Sequence, residues 1–262
     1  MVRLTLWLGG MSGVGKTTAA RVLARRHDLH LYTLDSRTYA HAERMDVPAL
    51  QMSADELWLD RAPEQMAADF EAEARERFPL VLADLAEVPA DGAPVLVEGP
   101  QLLPELVGEP ALFVVADTSL QRRLLDARGS FTPSTTRDPE RARRNRTRRD
   151  ELLTARIRAG AAERDLALAE ITDITQTEDA LANTFTPVLR EWLRHDDHGD
   201  VAARRRAEND RRFDQWRRYA AREPRALDGV LDFACECHRR GCTETVAVKL
   251  ADADARPLVA HD

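Results

Sequence analysis

The sequence predicts an α/β fold: a three-layer domain with a parallel five-stranded sheet, followed by a small C-terminal helix and a cysteine-rich β module. Three observations carry this. Strand-like and helix-like segments alternate over about the first 195 residues, as expected for a parallel sheet covered on both faces. A glycine-rich turn, Gly10 to Gly15, leaves the first apolar strand and opens the first helix. All three cysteines fall between Cys235 and Cys242.

The elements follow in order. Leu4 to Leu8 reads as a short buried strand and Thr18 to Arg26 as a helix with Ala19, Val22 and Leu23 on one face. His30 to Leu34 is the second strand, ending at Asp35-Ser36-Arg37. A polar, helix-rich stretch runs from Ser53 to Glu87, with breaks expected at Pro63 and Pro79. Asp91-Gly92 is a turn before the strand Pro94 to Val97, which ends at Glu98-Gly99-Pro100. Ala111 to Ala116 is the fourth strand, ending at Asp117. An arginine-rich segment leads into a helix from about Arg148 to Glu163, a fifth strand Leu166 to Ile171 and a helix from about Glu178 to Leu193. His195 to Asp200 is a polar linker. Val201 to Arg222 is a charged helix with Phe213, Trp216 and Tyr219 or Ala220 on one side. A hairpin is expected with Glu244 to Leu250 returning near Arg256 to Ala260. The division is therefore 1–195 (α/β domain), 196–225 (linker and helix) and 226–262 (cysteine module), without internal repeats.

A chain of 262 residues with 44% hydrophobic content can bury the core of one large domain and a smaller one. Its apolar runs are strand-sized, well short of the roughly 20 residues a membrane helix needs. The N-terminal run meets Gly9-Gly10 too soon for a signal-peptide core, so a cytoplasmic protein without a membrane partner is expected. The net charge of -7 argues against a general nucleic-acid coat and leaves a local basic site open. Ten arginines between Gln121 and Arg149 oppose only Asp126, Asp138 and Glu140, which marks a place for phosphate or another anion.

Gly10-Met11-Ser12-Gly13-Val14-Gly15-Lys16-Thr17 has the spacing G-x-x-x-x-G-K-[ST] of a phosphate-binding P-loop. Lys16 is one of only two lysines in an arginine-rich chain, which suggests a task for a compact ammonium. Gly10, Ser12, Gly13, Val14, Gly15, Lys16, Thr17 and Thr18 are the expected nucleotide contacts: amide N–H groups curl round the phosphates, Lys16 bridges the outer ones, and the Thr17 hydroxyl ligates magnesium. ATP and Mg2+ are the implied cofactors. Asp35, Glu98 and Asp117 close three strands at the carboxyl edge, where such sheets bind ligands. Capping the next helix is the alternative for each.

On these residues the first domain resembles the P-loop small-molecule kinases, the group of nucleoside, nucleotide, shikimate and gluconate kinases and chloramphenicol phosphotransferase. The resemblance spans about residues 3–195, and the loop is its specific part. It implies that Asp35 meets the acceptor hydroxyl as base, that Arg37 holds a polar or anionic part of the acceptor, and that Glu98 serves the metal. The exchange of roles between Asp35 and Glu98 stays open. The arginines after the fourth strand resemble a lid that closes over the phosphates, with Arg128 and Arg144 as its named members. Phosphoryl transfer needs cations, positioning and exclusion of water, and these residue types supply them. The expectation is an ATP-dependent phosphotransferase acting on a hydroxyl of a small molecule, nucleoside- or nucleotide-like or a similar metabolite. One alternative is a nucleotide-dependent regulatory or binding protein whose C-terminal module recognises a partner. Another is an RNA-end kinase, suggested by the basic segment with Phe213 and Trp216. No Asn-Lys guanine motif exists, since neither lysine follows an Asn. The acceptor and the oligomeric state are not legible, although Tyr39 to Trp58, with Met45, Met52 and Trp58, is expected to help form the acceptor pocket.

Three thiols in a reducing compartment point to metal before disulfides. Cys235, Cys237 and Cys242 need a fourth ligand for tetrahedral zinc, and His261 or His238 can supply it. His238 directly follows a ligand cysteine, and His261 lies after the expected hairpin, so the set taken is Cys235, Cys237, Cys242 and His261 around a structural zinc. The segment also resembles a Cys-x-Cys-x4-Cys module with a terminal histidine found at the ends of unrelated bacterial proteins. That likeness covers about 35 residues and implies no activity.

Overall fold

The computed structural model describes residues 3–127, 136–192, 199–222, 229–249, 252 and 257–261. Its centre is a five-stranded, wholly parallel sheet of β1 (Thr5–Gly10), β2 (His30–Thr33), β3 (Val95–Glu98), β4 (Ala111–Ala116) and β5 (Ala167–Ile171), in the order β2-β3-β1-β4-β5. β2, β3 and β4 are buried throughout, as the unbroken apolar runs require of strands covered on both faces. α1 (Lys16–Arg26) packs with α7 (Gln176–Trp192), and α4 (Pro63–Ala86) packs with α6 (Pro139–Glu163), which together make the outer layers.

Between β2 and β3 the chain forms a 3-10 turn (Leu34–Arg37), α2 (Thr38–Ala42), a second 3-10 turn (Pro48–Leu50), α3 (Ala54–Trp58) and then α4. Ser53 caps α3 through a reciprocal capping box with Glu56. The break expected at Pro63 is real, because that proline opens α4 at its first turn. The break expected at Pro79 does not occur: α4 runs through it, with the ring on the exposed side.

The arginine-rich segment needs a larger correction. α6 begins at Pro139, nine residues before the expected start at Arg148. Asp138 caps it, accepting from the Arg141 N–H at 3.0 Å, and Pro139 sits where its missing N–H costs nothing. The Asp-Pro-Glu start signal was in the sequence, but a first turn almost without apolar residues hid the period. Asp117 takes the bland role allowed for it. Its Oδ1 accepts from the Leu120 N–H at 2.8 Å and the Ser119 hydroxyl at 2.6 Å, starting α5 (Thr118–Ala127).

α8 (Val201–Ala220) lies along the β2 edge, where Arg211 donates to the Leu31 carbonyl at 2.7 Å and blunts an otherwise open strand. Its other side carries a second small core of Phe213, Ala220, Phe233, Val248 and Leu258. The Phe213 and Phe233 rings stack there at 3.9 Å. Of the residues foreseen on that side, Phe213 and Ala220 are buried, and Tyr219 is exposed and lies 6.3 Å from the Tyr39 ring. The C-terminal hairpin also differs from expectation. β7 (Thr245–Lys249) pairs antiparallel with β6 (Val230–Ala234), so the two strands flank the cysteine loop. Residues 257–261 return beside it, with the Glu236 N–H donating to the Leu258 carbonyl at 2.6 Å. Among the described residues, no helix is long and apolar enough to cross a membrane.

Candidate functional site

The loop from Gly10 to Gly15 leaves β1 and enters α1 with three glycines at positive φ. Gly15 stands at the helix start with φ 82 and no side-chain cap, so the first-turn N–H groups of α1 face the loop. A Cβ at Gly10 would lie 2.0 Å from the Val114 carbonyl oxygen, which makes glycine obligatory beside β4. Three contacts outside the motif pin the loop. The Met11 N–H donates to the Val114 carbonyl at 3.1 Å, the Gln121 amide to the Ser12 carbonyl at 3.2 Å, and the Thr177 hydroxyl to the Val14 carbonyl at 2.6 Å. Gln121 and Thr177 are both buried. The motif does not reveal them, because α5 and α7 bring them in from over 100 residues away. Lys16 is 4% exposed, and its ammonium donates to the Met11 carbonyl at 2.6 Å, folded over the loop.

Glu98 closes β3 in register with Leu8 of β1 and Thr33 of β2, so it sits at the carboxyl edge between the loop and the turn that carries Asp35. It is 1% exposed and accepts from the Thr17 hydroxyl at 3.1 Å. Burial pushes its carboxyl up to about 7; the Lys16 ammonium opposes that rise and the Asp35 carboxylate adds to it. Asp35 is exposed in the 3-10 turn after β2, and its charge acts on Glu98 and on the buried Arg77. Lys16, Thr17, Asp35 and Glu98 thus share one neighbourhood.

Arg37 has a protein partner. Its Nε donates to Asp84 Oδ2 at 2.8 Å, and the same oxygen accepts from the Tyr32 hydroxyl at 2.8 Å and from His41 Nε2 at 3.0 Å. Arg77 Nε donates to His41 Nδ1 at 2.9 Å, which leaves the imidazole proton on Nε2 and fixes the neutral tautomer. Burial lowers the His41 pKa in keeping with that form. Arg77 also donates to the Leu34 carbonyl at 2.5 Å and to the Gln101 side chain, and Gln101 in turn donates to Glu73 at 2.5 Å. This buried network sets the Asp35 turn against α4. Its members are scattered from Tyr32 to Gln101, and only Arg37 was singled out from sequence.

The arginines of α6 sort by the side they occupy. Arg144 is exposed and lies 3.8 Å from Glu140 on its own helix. Arg146 and Arg149 turn inward and lie 5.5 Å and 5.0 Å over the Trp58 ring. Arg137 pairs with Asp55 at 3.1 Å and with Asp60, which ties the start of α6 to α3. Arg128 lies outside the described residues. Beneath Arg149 and Trp58 is a cavity of about 330 Å³ between the Asp46–Trp58 stretch, α4 and α6. Met52 and Trp58 line it, as expected of that stretch, and Met45 is not among its lining residues.

A second site lies in the C-terminal module. The ligand atoms of Cys235, Cys237, Cys242 and His261 all lie within 4.8 Å of one another, and Cys242 Sγ is 3.6 Å from His261 Nε2. Zinc bonds of about 2.3 Å to sulfur give a tetrahedron with edges near 3.7 Å, so this set could bind a metal such as zinc. His238 is exposed and stands 3.8 Å from Asp200, outside the cluster. The cysteine loop is held to α1. Asp28, just past the end of that helix at φ 51, accepts from the Gly241 N–H at 3.1 Å and from Arg205 at 2.8 Å. Arg205 also donates to the Cys237 carbonyl at 2.8 Å and the Arg239 carbonyl at 2.9 Å.

A scan against protein-family models finds no match, and a search of curated proteins finds none either. Among solved structures the chain is similar to TT1252 from Thermus thermophilus, at 22% identity over 73% of this chain and 98% of that one, with a TM-score of 0.40.

Proposed function

We propose that the chain is an ATP-dependent phosphotransferase that phosphorylates a hydroxyl of a small molecule. The observation that carries the reading is the Thr17 to Glu98 hydrogen bond of 3.1 Å, with Lys16 and Asp35 acting on the same buried carboxyl. A hydroxyl and a carboxylate side by side at a glycine loop are the oxygen donors magnesium takes with nucleotide phosphates, and the first turn of α1, which has no side-chain cap, opens on the loop where the phosphates would lie. The donor set therefore fits ATP with Mg2+, which would supply the phosphoryl group and neutralise its charge. Lys16, now bonded to the Met11 carbonyl, would hold the outer phosphate oxygens, and Glu98 would face the magnesium, whose charge would favour its ionised form. Asp35, exposed at the adjoining strand end, orients the acceptor hydroxyl and takes its proton, a contribution of about a hundred- to ten-thousand-fold. The four-residue cluster in the C-terminal module holds a structural zinc, since full occupancy leaves no open position for chemistry.

The test is ADP release from ATP and Mg2+ over a panel of nucleosides, nucleotides, sugars and amino alcohols, with Lys16→Ala and Asp35→Ala controls. Acceptor-stimulated turnover lost in both variants supports the reading. ATP binding without stimulation by any acceptor, and an Asp35→Ala protein that behaves like wild type, would sink it. That outcome would favour a nucleotide-dependent regulator, for which the Asp28 tie between α1 and the cysteine loop is the favouring observation.

A further inference from the structure

The cavity under Trp58 has a composition that narrows what can enter it. At about 330 Å³ it falls at the lower end of the range for small-molecule sites. One side is apolar and aromatic, with Met52, Trp58, Met66 and Phe70. The charged lining consists of Asp46, Asp69, Glu73 and Glu76 against Arg61 and Arg149. Both arginines are already engaged: Arg61 pairs with Asp69, and Arg149 Nε donates to Asp150 at 2.8 Å. Glu73 accepts from the Gln101 amide and its charge acts on the buried Arg77 behind that amide, while Glu76 is exposed on the same wall. The lining itself carries four carboxylates against two guanidiniums, with the buried Arg77 behind Glu73 and Arg146 sharing Asp150 with Arg149, so its own charge is negative. Gln101 lies three residues beyond Glu98, so the Glu73 wall meets the carboxyl edge of the sheet where Asp35 stands.

We propose that this cavity selects a hydroxylated acceptor with a cationic amine and an apolar or aromatic body, and rejects phosphomonoesters. This deepens the phosphotransferase reading and rests on it. The apolar body lies against Met52, Trp58 and Phe70, the ammonium meets Glu73 and Glu76, and the hydroxyl points towards Asp35. A phosphomonoester acceptor would bring two negative charges to a wall whose guanidinium groups are taken. The transfer balances simply. The acceptor oxygen bonds to the γ-phosphorus of ATP as the bridging β–γ bond breaks, ADP leaves with that electron pair, and the hydroxyl proton passes to the carboxylate.

The experiment compares phenylalaninol, N-acetylphenylalaninol and adenosine monophosphate as probes on the full chain, by calorimetric binding and by ADP release. The proposal expects phenylalaninol to bind most tightly, with at least a fivefold loss on N-acetylation and no detectable binding of the monophosphate at the acceptor site. Glu73→Gln with Glu76→Gln should erase the preference for the amine while leaving the affinity for N-acetylphenylalaninol within about twofold, since a half-exposed ion pair is worth about that fivefold factor. Equal or tighter binding of the acetylated or phosphorylated probe overturns the proposal, as does an amine preference that survives the double substitution. Loss of ATP binding or turnover with every acceptor, while phenylalaninol still binds with its amine preference, overturns the phosphotransferase reading and leaves the cavity assignment standing.

Discussion

Asp84→Asn isolates the network that holds the Asp35 turn. Asp84 is 9% exposed, and its Oδ2 accepts from the Tyr32 hydroxyl, Arg37 Nε and His41 Nε2 at 2.8, 2.8 and 3.0 Å. Asparagine keeps the shape and can keep one oxygen in that position, so the three bonds persist but lose their charge assistance, at about 1 kcal/mol each. Its NH2 group then replaces Oδ1, which faces the Arg37 and Arg44 guanidiniums at 3.5 and 3.7 Å. The expected loss is about 3 kcal/mol, or about 6–12 °C in Tm for a domain of this size. Urea denaturation read by tryptophan fluorescence measures it. The pH dependence has a defined sign. Burial alone would raise the Asp84 pKa, but the hydrogen bonds from His41, Arg37 and Tyr32 hold it well below the usual carboxylate range. The stabilisation is therefore complete above about pH 4 and is lost as the pH falls through that lower folded value. The gap between wild type and variant should be full at pH 7 and should narrow below about pH 4. A difference under about 0.5 kcal/mol at pH 7, or a gap unchanged at pH 3, would show that the network contributes nothing through its charge.

In nucleotide- and metal-free protein the raised Glu98 pKa stabilises most below about pH 4.5, and that contribution disappears as the pH rises through about 7; thermal melts should decline over that window in wild type and stay flatter in Glu98→Gln. Elemental analysis should find about one zinc per chain, falling well below one in Cys237→Ser, and no zinc in the wild-type protein would remove the metal assignment. Asp28→Ala should leave metal content unchanged but increase hydrogen exchange at 239–243, because the Gly241 N–H and Arg205 lose their shared anchor. Unchanged exchange would mean that the loop is held by the cluster alone.

The parallel sheet, the glycine loop and the carboxylates at the strand ends were legible because each is a local pattern: an unbroken apolar run, a fixed spacing, or a charge closing a strand. The three cysteines were legible for the same reason; His261, 19 residues beyond Cys242, was reached through an expected hairpin that the structure replaces with the pairing of β6 and β7 across the cysteine loop, which has no local signature. The α6 start was missed because arginines carry no hydrophobic period, even though Asp138-Pro139 announced it. The least legible residues are those that act through distance in sequence. Gln121 and Thr177 reach the loop from other helices, and Arg77, His41 and Asp84 join only when α4 crosses behind β2. Arg37 shows the limit of reading a role from position, since its guanidinium is held by Asp84.

Phosphoryl transfer by this chain is measured most directly by ADP release with phosphorus NMR of the products, using ATP, Mg2+ and phenylalaninol with wild type, Lys16→Ala and Asp35→Ala. A phosphotransferase of this kind gives a new phosphomonoester resonance in step with ADP, absent with Lys16→Ala and reduced about a hundredfold or more with Asp35→Ala. ATP bound but never transferred to this or any other hydroxyl acceptor, or a phosphomonoester formed equally well by Asp35→Ala, would contradict it.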